Sequence, residues 1–331
     1  MDIERRNRGA DTTAFDGADA AELDQATLLE ACRSGKVVKL DDLAGPSVDF
    51  FGGVANSCGI PTFAWSSLLI ANGDAMKKLT KRRYREPSRL RDLLDTKGFP
   101  GKRALVRGPQ RVLEMMLLAD GVATKDLYEI LSTRSGQDRA FELLDALSSE
   151  VLWVDGSQEA LLALDEGAAT MAMIYSGRAF RRLIASRLVP IWDGHIIDFA
   201  SWAIAADSPR KPDAKRFVKA ATSAQSLAAQ ARIWPYGPMR RSALALARRH
   251  ELLDTELDEF LPTSDVRFAQ GVILDPAFWS KHGTELKERF DAWQSGVPMG
   301  IRVPIPVKAP PPPMPPPPSL APAQASAPAV Q

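Results

Sequence analysis

The chain has 331 residues, enough for two α/β units with sizeable cores, and this excludes one small domain because single cores stop growing near ~250–300 residues. Its 42 Lys and Arg against 41 Asp and Glu leave a formal charge of +1, so no global field draws it to nucleic acid or to an acidic membrane surface. No apolar run approaches the ~18 residues of a spanning helix, the opening MDIERRNRGADTTAFDG holds no secretory signal, and Cys32 and Cys58 are too few for a thiolate zinc site or a disulfide scaffold, although they can form one bridge.

In chain order, ATLLEACRSG places Leu28, Leu29 and Cys32 on one helical face and stops at Gly35, a residue suited to a left-handed cap. KVVKL reads as a strand. CGIPTFAWSSLLIAN reads as a buried strand interrupted by a loop at Pro61 and Trp65. Lys77 to Arg91 is a dense basic connector broken at Pro87, and its eight Lys and Arg suit a solvated linker better than a phosphate-binding surface, which would raise the charge of a whole domain.

FPGKRAL is a turn feeding a strand. GPQRVLEMMLLADG has proline where a helix begins and glycine where one ends, at Pro109 and Gly121. Thr124 caps TKDLYEIL, and QDRAFELLDAL follows as an amphipathic helix. After the strand VLWV, Ser157 is placed to cap SQEALLALDEG, and ATMAMIYSG delivers Tyr175 and Ser176 to the carboxyl end of an apolar strand, where ligands tend to bind. The strand pair LVPIW and HIIDFASWAIAA precedes three helical stretches and a long helix from Pro276 to Gln294. From Val303 the proline-rich composition cannot bury a core, and a disordered tail with polyproline II character is predicted. Alternating strands and helices give an α/β architecture of βα units.

The histidines His195, His250 and His282 fall in unlike segments without an H-E-x-x-H pattern, and the chain has no G-x-S-x-G elbow, phosphate-binding loop or dinucleotide fingerprint. Cys58 has no identifiable base. The reading is therefore a binding protein with no catalytic residue, metal or cofactor. Its more informative residues are aromatic: Trp65, Tyr175, Trp202 and Tyr236 fall at predicted strand ends or in loops, where a ring can line a cleft and hold a cation, although core packing explains any single one equally well.

The segments FPGKRAL, LLADGVA, LSTRSGQDRAF, MAMIYSGRAF, IWDGHIID, WPYGP and DPAFWSKHGTEL, in this order from about Asp24 to about Gln294, resemble the solute-binding proteins of spermidine/putrescine ABC importers. The resemblance implies a two-lobed periplasmic binding fold of type II that closes on a small solute, a polyamine or related amine, and delivers it to a permease in the inner membrane. It implies lobe 1 in residues 24–84 and 196–300, lobe 2 in 85–195, a polar start over 1–23 and the tail over 301–331. Trp65, Tyr175 and Tyr236 match pocket aromatics of the family. Where the family has acids, this chain has Ala200 and Arg111, and Asp198 lies two residues from Ala200 on the same strand face.

A buried dication is disfavoured by that exchange, so the expected ligand is a singly charged amine or a solute whose carboxylate Arg111 holds. The family pattern begins late, which predicts a first lobe incomplete at its N-terminus. The location implied is periplasmic, or cytoplasmic if the start is genuine. The resemblance also implies a Cys32–Cys58 bridge, with two separately buried thiols as the alternative. Two other functions fit the sequence: a sensor for a small carboxylate-bearing solute, and a truncated remnant that binds nothing.

Overall fold

The computed structural model describes residues 15–53, 57–81, 84–185, 188–250 and 255–296, so the predicted tail lies outside the described residues. Eight strands occur among them: β1 Ala20–Asp24, β2 Ile60–Asn72, β3 Arg103–Val106, β4 Val151–Val154, β5 Met171–Tyr175, β6 Leu188–Ile204, β7 Gly237–Pro238 and β8 Val272–Ile273. They form one hydrogen-bonded sheet in the order β1-β6-β2-β5-β3-β4, with β7 added to β2 and β8 to β6.

The two long strands, β2 and β6, run antiparallel through the whole sheet and divide it. Ser67 pairs with Ile196, but Leu69 pairs with Ile191, so residues 192–195 of β6 are taken up in a bulge. On one side of this break, the first part of β2 and the last part of β6 carry β1, β7 and β8. On the other, the remaining parts carry β5, β3 and β4. Gly194, inside the bulge, has a φ of 66°, and a Cβ there would lie 2.7 Å from Leu90 Cδ2.

Two sequence expectations change here. The interruption expected at Pro61 and Trp65 is absent, and LVPIW and HIIDFASWAIAA form one strand instead of two. The physical reason is burial: β2 is covered on both faces over nearly its full length, so its backbone groups must pair in the ladder. Pro61 is accommodated because it sits at a second register irregularity, where its missing N–H leaves little unpaired. KVVKL, by contrast, forms only an isolated bridge from Val37 to Ala205. β1 forms where no element was predicted, by pairing along the outer edge of β6.

The half containing β5, β3 and β4 is built of parallel βαβ units. The helices Val112–Ala119 and Arg134–Leu147 connect β3 to β4, and the helix Ser157–Asp165 connects β4 back to β5. The chain moves outward and then back past β3, so right-handed crossovers put these connections on opposite faces. Side-chain alternation agrees: Leu69, Ala71, Met171 and Met173 join the core under the helix Val112–Ala119, whereas Leu68, Ile70, Ala172 and Ile174 join the core under Ser157–Asp165. The final helix, Pro276–Gly296, lays Phe278, Trp279, Leu286 and Phe290 on the first of these cores. β3 and β5 are neighbours whose outgoing connections leave in opposite directions, the arrangement at which ligand sites of open α/β sheets fall, at the carboxyl ends of the strands.

Cys32 and Cys58 are bridged, tying the helix Gln25–Arg33 to the turn before β2. A bridge across a sequence separation of 26 contributes about 3 kcal/mol in the chain-entropy account. The described part of the basic connector is anchored to its surroundings. Arg85 lies 4.2 Å from the centre of the Phe99 ring, and Arg89 pairs with Asp193 at 3.7 Å.

Candidate ligand-binding site

The cluster near the carboxyl ends of β3 and β5 collects its side chains by strand parity. Trp65 and Ser67 share a face of β2 with Leu69, Tyr175 shares a face of β5 with Met173, and Asp198 shares a face of β6 with Ile196. All four lie on the side of the sheet that the helix Val112–Ala119 covers further along. Across the ladder Trp65 is directly opposite Asp198, and Ser67 is directly opposite Tyr175, at the spacing where side chains meet.

Arg111 ends the turn after β3 and begins that helix. Its φ of 70° is a left-handed conformation that costs a non-glycine residue on the order of 1 kcal/mol. Glu114 opposes this cost by accepting the Arg111 backbone N–H at 2.7 Å, in the manner of a helix capping box. Trp279 Nε1 donates to the same carboxylate at 2.6 Å and the Tyr128 hydroxyl at 3.3 Å, so the final helix helps fix the turn. Burial pushes the Glu114 carboxyl up to about 7.

The guanidinium of Arg111 donates from Nη2 to Asp198 Oδ2 at 3.0 Å and from Nη1 to Gln110 Oε1 at 2.9 Å. It also sits 5.4 Å from the centre of the Tyr175 ring, within the range of a cation–π contact. The pair is buried, with side chains only 10% and 7% exposed, and it joins the two halves of the sheet. Burial pushes the Asp198 carboxyl up to about 6, against the pull of Arg111 and with a smaller push from Asp24. For Arg111, burial works against the charge, but Tyr175, Asp198 and Glu114 outweigh it and hold the guanidinium above its ordinary range.

Of the residues singled out in the sequence, Trp65, Arg111, Tyr175 and Asp198 gather in this cluster. Tyr236 stands at its edge: a Cβ on Gly177, two residues beyond Tyr175, would lie 2.7 Å from its ring. Trp65 and Trp202 are inside strands rather than at strand ends or in loops, and Trp202 packs edge-on against Phe217 at 5.0 Å. Ser157 is not a cap. Gly156 holds the cap position, and Ser157 Oγ accepts the Tyr175 N–H at 3.1 Å, fixing the end of β5 at the site.

Sequence reading missed three members of this neighbourhood. Asp24 lies directly opposite Ala200 in the ladder, so an acid reaches the region from β1 although Ala200 supplies none. Its carboxylate caps the helix Gln25–Arg33, accepting from Thr27 N at 2.8 Å, and an Asp directly before the helical run QATLLEAC was a signal for it. Glu114, three residues after Arg111, was readable as a capping partner. Ser67 was readable by alternation from Trp65, once β2 is taken as unbroken.

Ser66, on the opposite face, bonds His195 Nδ1 at 2.7 Å, and His195 Nε2 donates to the Arg267 carbonyl at 2.8 Å. Burial lowers the His195 pKa to about 4, so this ring is a neutral structural link at the bulge. Among the described residues, no cluster of three or more His, Cys, Asp or Glu is placed to hold a metal ion.

The chain belongs to the bacterial extracellular solute-binding protein family, whose match covers residues 2–252. That match starts well before the Asp24 at which the resemblance was read from sequence. Members are transport binding proteins rather than enzymes, and ABC-type members deliver a small molecule to a membrane permease. The chain is 32% identical over 277 residues to the gamma-aminobutyric acid-binding protein of Pseudomonas aeruginosa, covering 83% of this chain and 75% of that one. Its fold is that of the two-lobed periplasmic binding proteins. The solved Atu4243 GABA receptor superposes with a TM-score of 0.70 at 24% identity, covering 87% of this chain and 86% of that one. The spermidine/putrescine-binding protein PotD of Streptococcus pneumoniae superposes with a TM-score of 0.65 at 15% identity, covering 83% and 84%. The family is extracytoplasmic, and among the described residues no helix is long and apolar enough to cross a membrane.

Proposed function

We propose that this chain captures a small solute carrying both an ammonium and a carboxylate group, of the γ-aminobutyrate class, and presents it to an inner-membrane ABC permease. The observation that carries the reading is the buried Arg111–Asp198 pair, one cation and one anion side by side across the two halves of the sheet. A zwitterion offers each of them an opposite charge. Asp198, with Asp24 nearby and the Tyr175 ring beside it, suits the ammonium, and Arg111 suits the carboxylate. A polyamine would bring a second cation against Arg111, and an uncompensated buried charge costs several kcal/mol. The name of the P. aeruginosa relative supports the same class.

In this reading the lobes correspond to the two halves of the sheet, with the hinge where β2 and β6 shift register near Ser67 and residues 192–195. That puts the crossing in β2 earlier than the connector at 84/85, and it keeps the second crossing beside 195/196. Trp65 and Tyr236 form the walls of the cleft.

Calorimetry at pH 7.5 with GABA, putrescine, spermidine and succinate tests the proposal. GABA is expected to bind tightest, with contraction of the protein in X-ray scattering. Tight binding of putrescine or spermidine with no heat from GABA would replace the zwitterion by a polyamine.

A further inference from the structure

Three buried polar atoms on one face of the site have no hydrogen-bond partner among the described residues: Trp65 Nε1, Ser67 Oγ and Arg111 Nε. Trp65 and Ser67 are 2% and 1% exposed, which shields them from bulk solvent, and a buried unpaired donor is costly. The three belong to one cluster. Arg111 bonds Asp198, which lies opposite Trp65, and covers the ring of Tyr175, which lies opposite Ser67. The remaining edge of the guanidinium is constrained, since Nη1 is engaged by Gln110 and Nη2 by Asp198.

The chemistry of the set is one-sided. Indole and guanidinium N–H groups only donate, and a serine hydroxyl donates as readily as it accepts. Two of the three atoms cannot accept from an ammonium, whereas all three can donate to a carboxylate, whose two oxygens offer about four acceptor sites. Resting on the zwitterion reading above, we propose that Trp65 Nε1, Ser67 Oγ and Arg111 Nε form the subsite that receives the ligand's carboxylate. Arg111 then keeps its bond to Asp198 in the complex, and Ser67 is the residue that most directly selects a solute with an acceptor at this end.

The variants Ser67→Ala and Trp65→Phe test the assignment, with GABA as probe in calorimetry and thermal unfolding as a second readout. Ser67→Ala removes a donor without a partner among the described residues, so its unliganded melting temperature is expected to stay level or rise, whereas Trp65→Phe also empties buried volume and is expected to lower it by a few degrees. Each should weaken GABA binding roughly tenfold or more, the effect of losing one hydrogen bond to a charged group. If both variants bind GABA as the wild type does, the subsite is wrong while the zwitterion reading stands. Weaker binding by Ser67→Ala that comes with a matching loss of unliganded stability also overturns it, because that pattern marks ordinary packing. If the wild type itself gives no signal with GABA, the zwitterion reading falls first and the subsite with it.

Discussion

Arg111→Met is expected to destabilise the protein by about 3–5 kcal/mol at pH 8 and to abolish ligand binding, because it leaves the Asp198 carboxylate buried without its cation. The sign with pH follows from the same burial. The Asp198 carboxyl, already held up to about 6 in the wild type, rises further once Arg111 is gone. A folded-state value raised above the unfolded one supports stability below the unfolded pKa, and that support is lost as pH rises through the folded value. The penalty should therefore be largest above neutral pH and shrink toward pH 5, where Asp198 is protonated. Adding Asp198→Leu to Arg111→Met should recover most of the stability, since no unpaired charge remains, and none of the binding. Urea unfolding at pH 5 and pH 8 reads these differences. An Arg111→Met protein as stable at pH 8 as the wild type would contradict the account of the pair.

A second large effect is expected at the other end of β3. Arg103 is fully buried, and its guanidinium donates to the carbonyls of Leu93 at 3.1 Å, Asp95 at 3.3 Å and Phe99 at 2.6 Å, as well as to that of Gly101. Burial lowers its pKa to about 10, which still leaves it charged at neutral pH. One planar group thus gathers four carbonyls of a single turn, of which, among the described residues, only that of Asp95 also accepts a backbone N–H, from Phe99 at 2.9 Å. Arg103→Met strips those carbonyls and should cost about 3–5 kcal/mol, several unsatisfied groups at about 1–3 kcal/mol each with partial relaxation. Arg103→Lys should recover only part of this, because a compact ammonium cannot reach the same fork of acceptors. Arg103 opens β3 and Arg111 lies beyond its end, so GABA affinity in the surviving folded protein should be unchanged. A urea midpoint within experimental scatter of the wild type would show that these carbonyls need no such partner.

The contrast between the two arginines shows what sequence could and could not reveal. The strands VLWV and ATMAMIYSG and the helices between them were legible because apolar periodicity and Gly or Pro punctuation agree there. Trp65, Arg111, Tyr175 and Asp198, the residues proposed for the site, were singled out through the resemblance, and Tyr175 also by its place at the carboxyl end of a strand. What stayed hidden depends on pairing across the chain. The continuity of β2 and β6 is decided by burial on both faces, which overrides the local signal of Pro61 and Gly194. Asp24 enters the site only because β1 pairs with β6, and Ser67 shows its role only once its ladder partner is known to be Tyr175. The contact of Trp279 with Glu114 spans 165 positions and has no local trace. Ser157 has the residue type of a cap, but a strand end elsewhere uses its hydroxyl.

The most direct test of the central claim is a crystal structure of the protein grown with GABA. The account predicts the molecule beyond the carboxyl ends of β3 and β5, its carboxylate on Arg111 and its ammonium on Asp198, with a lobe on either side. GABA bound with neither residue in contact, or with its ammonium turned toward Arg111, would contradict it.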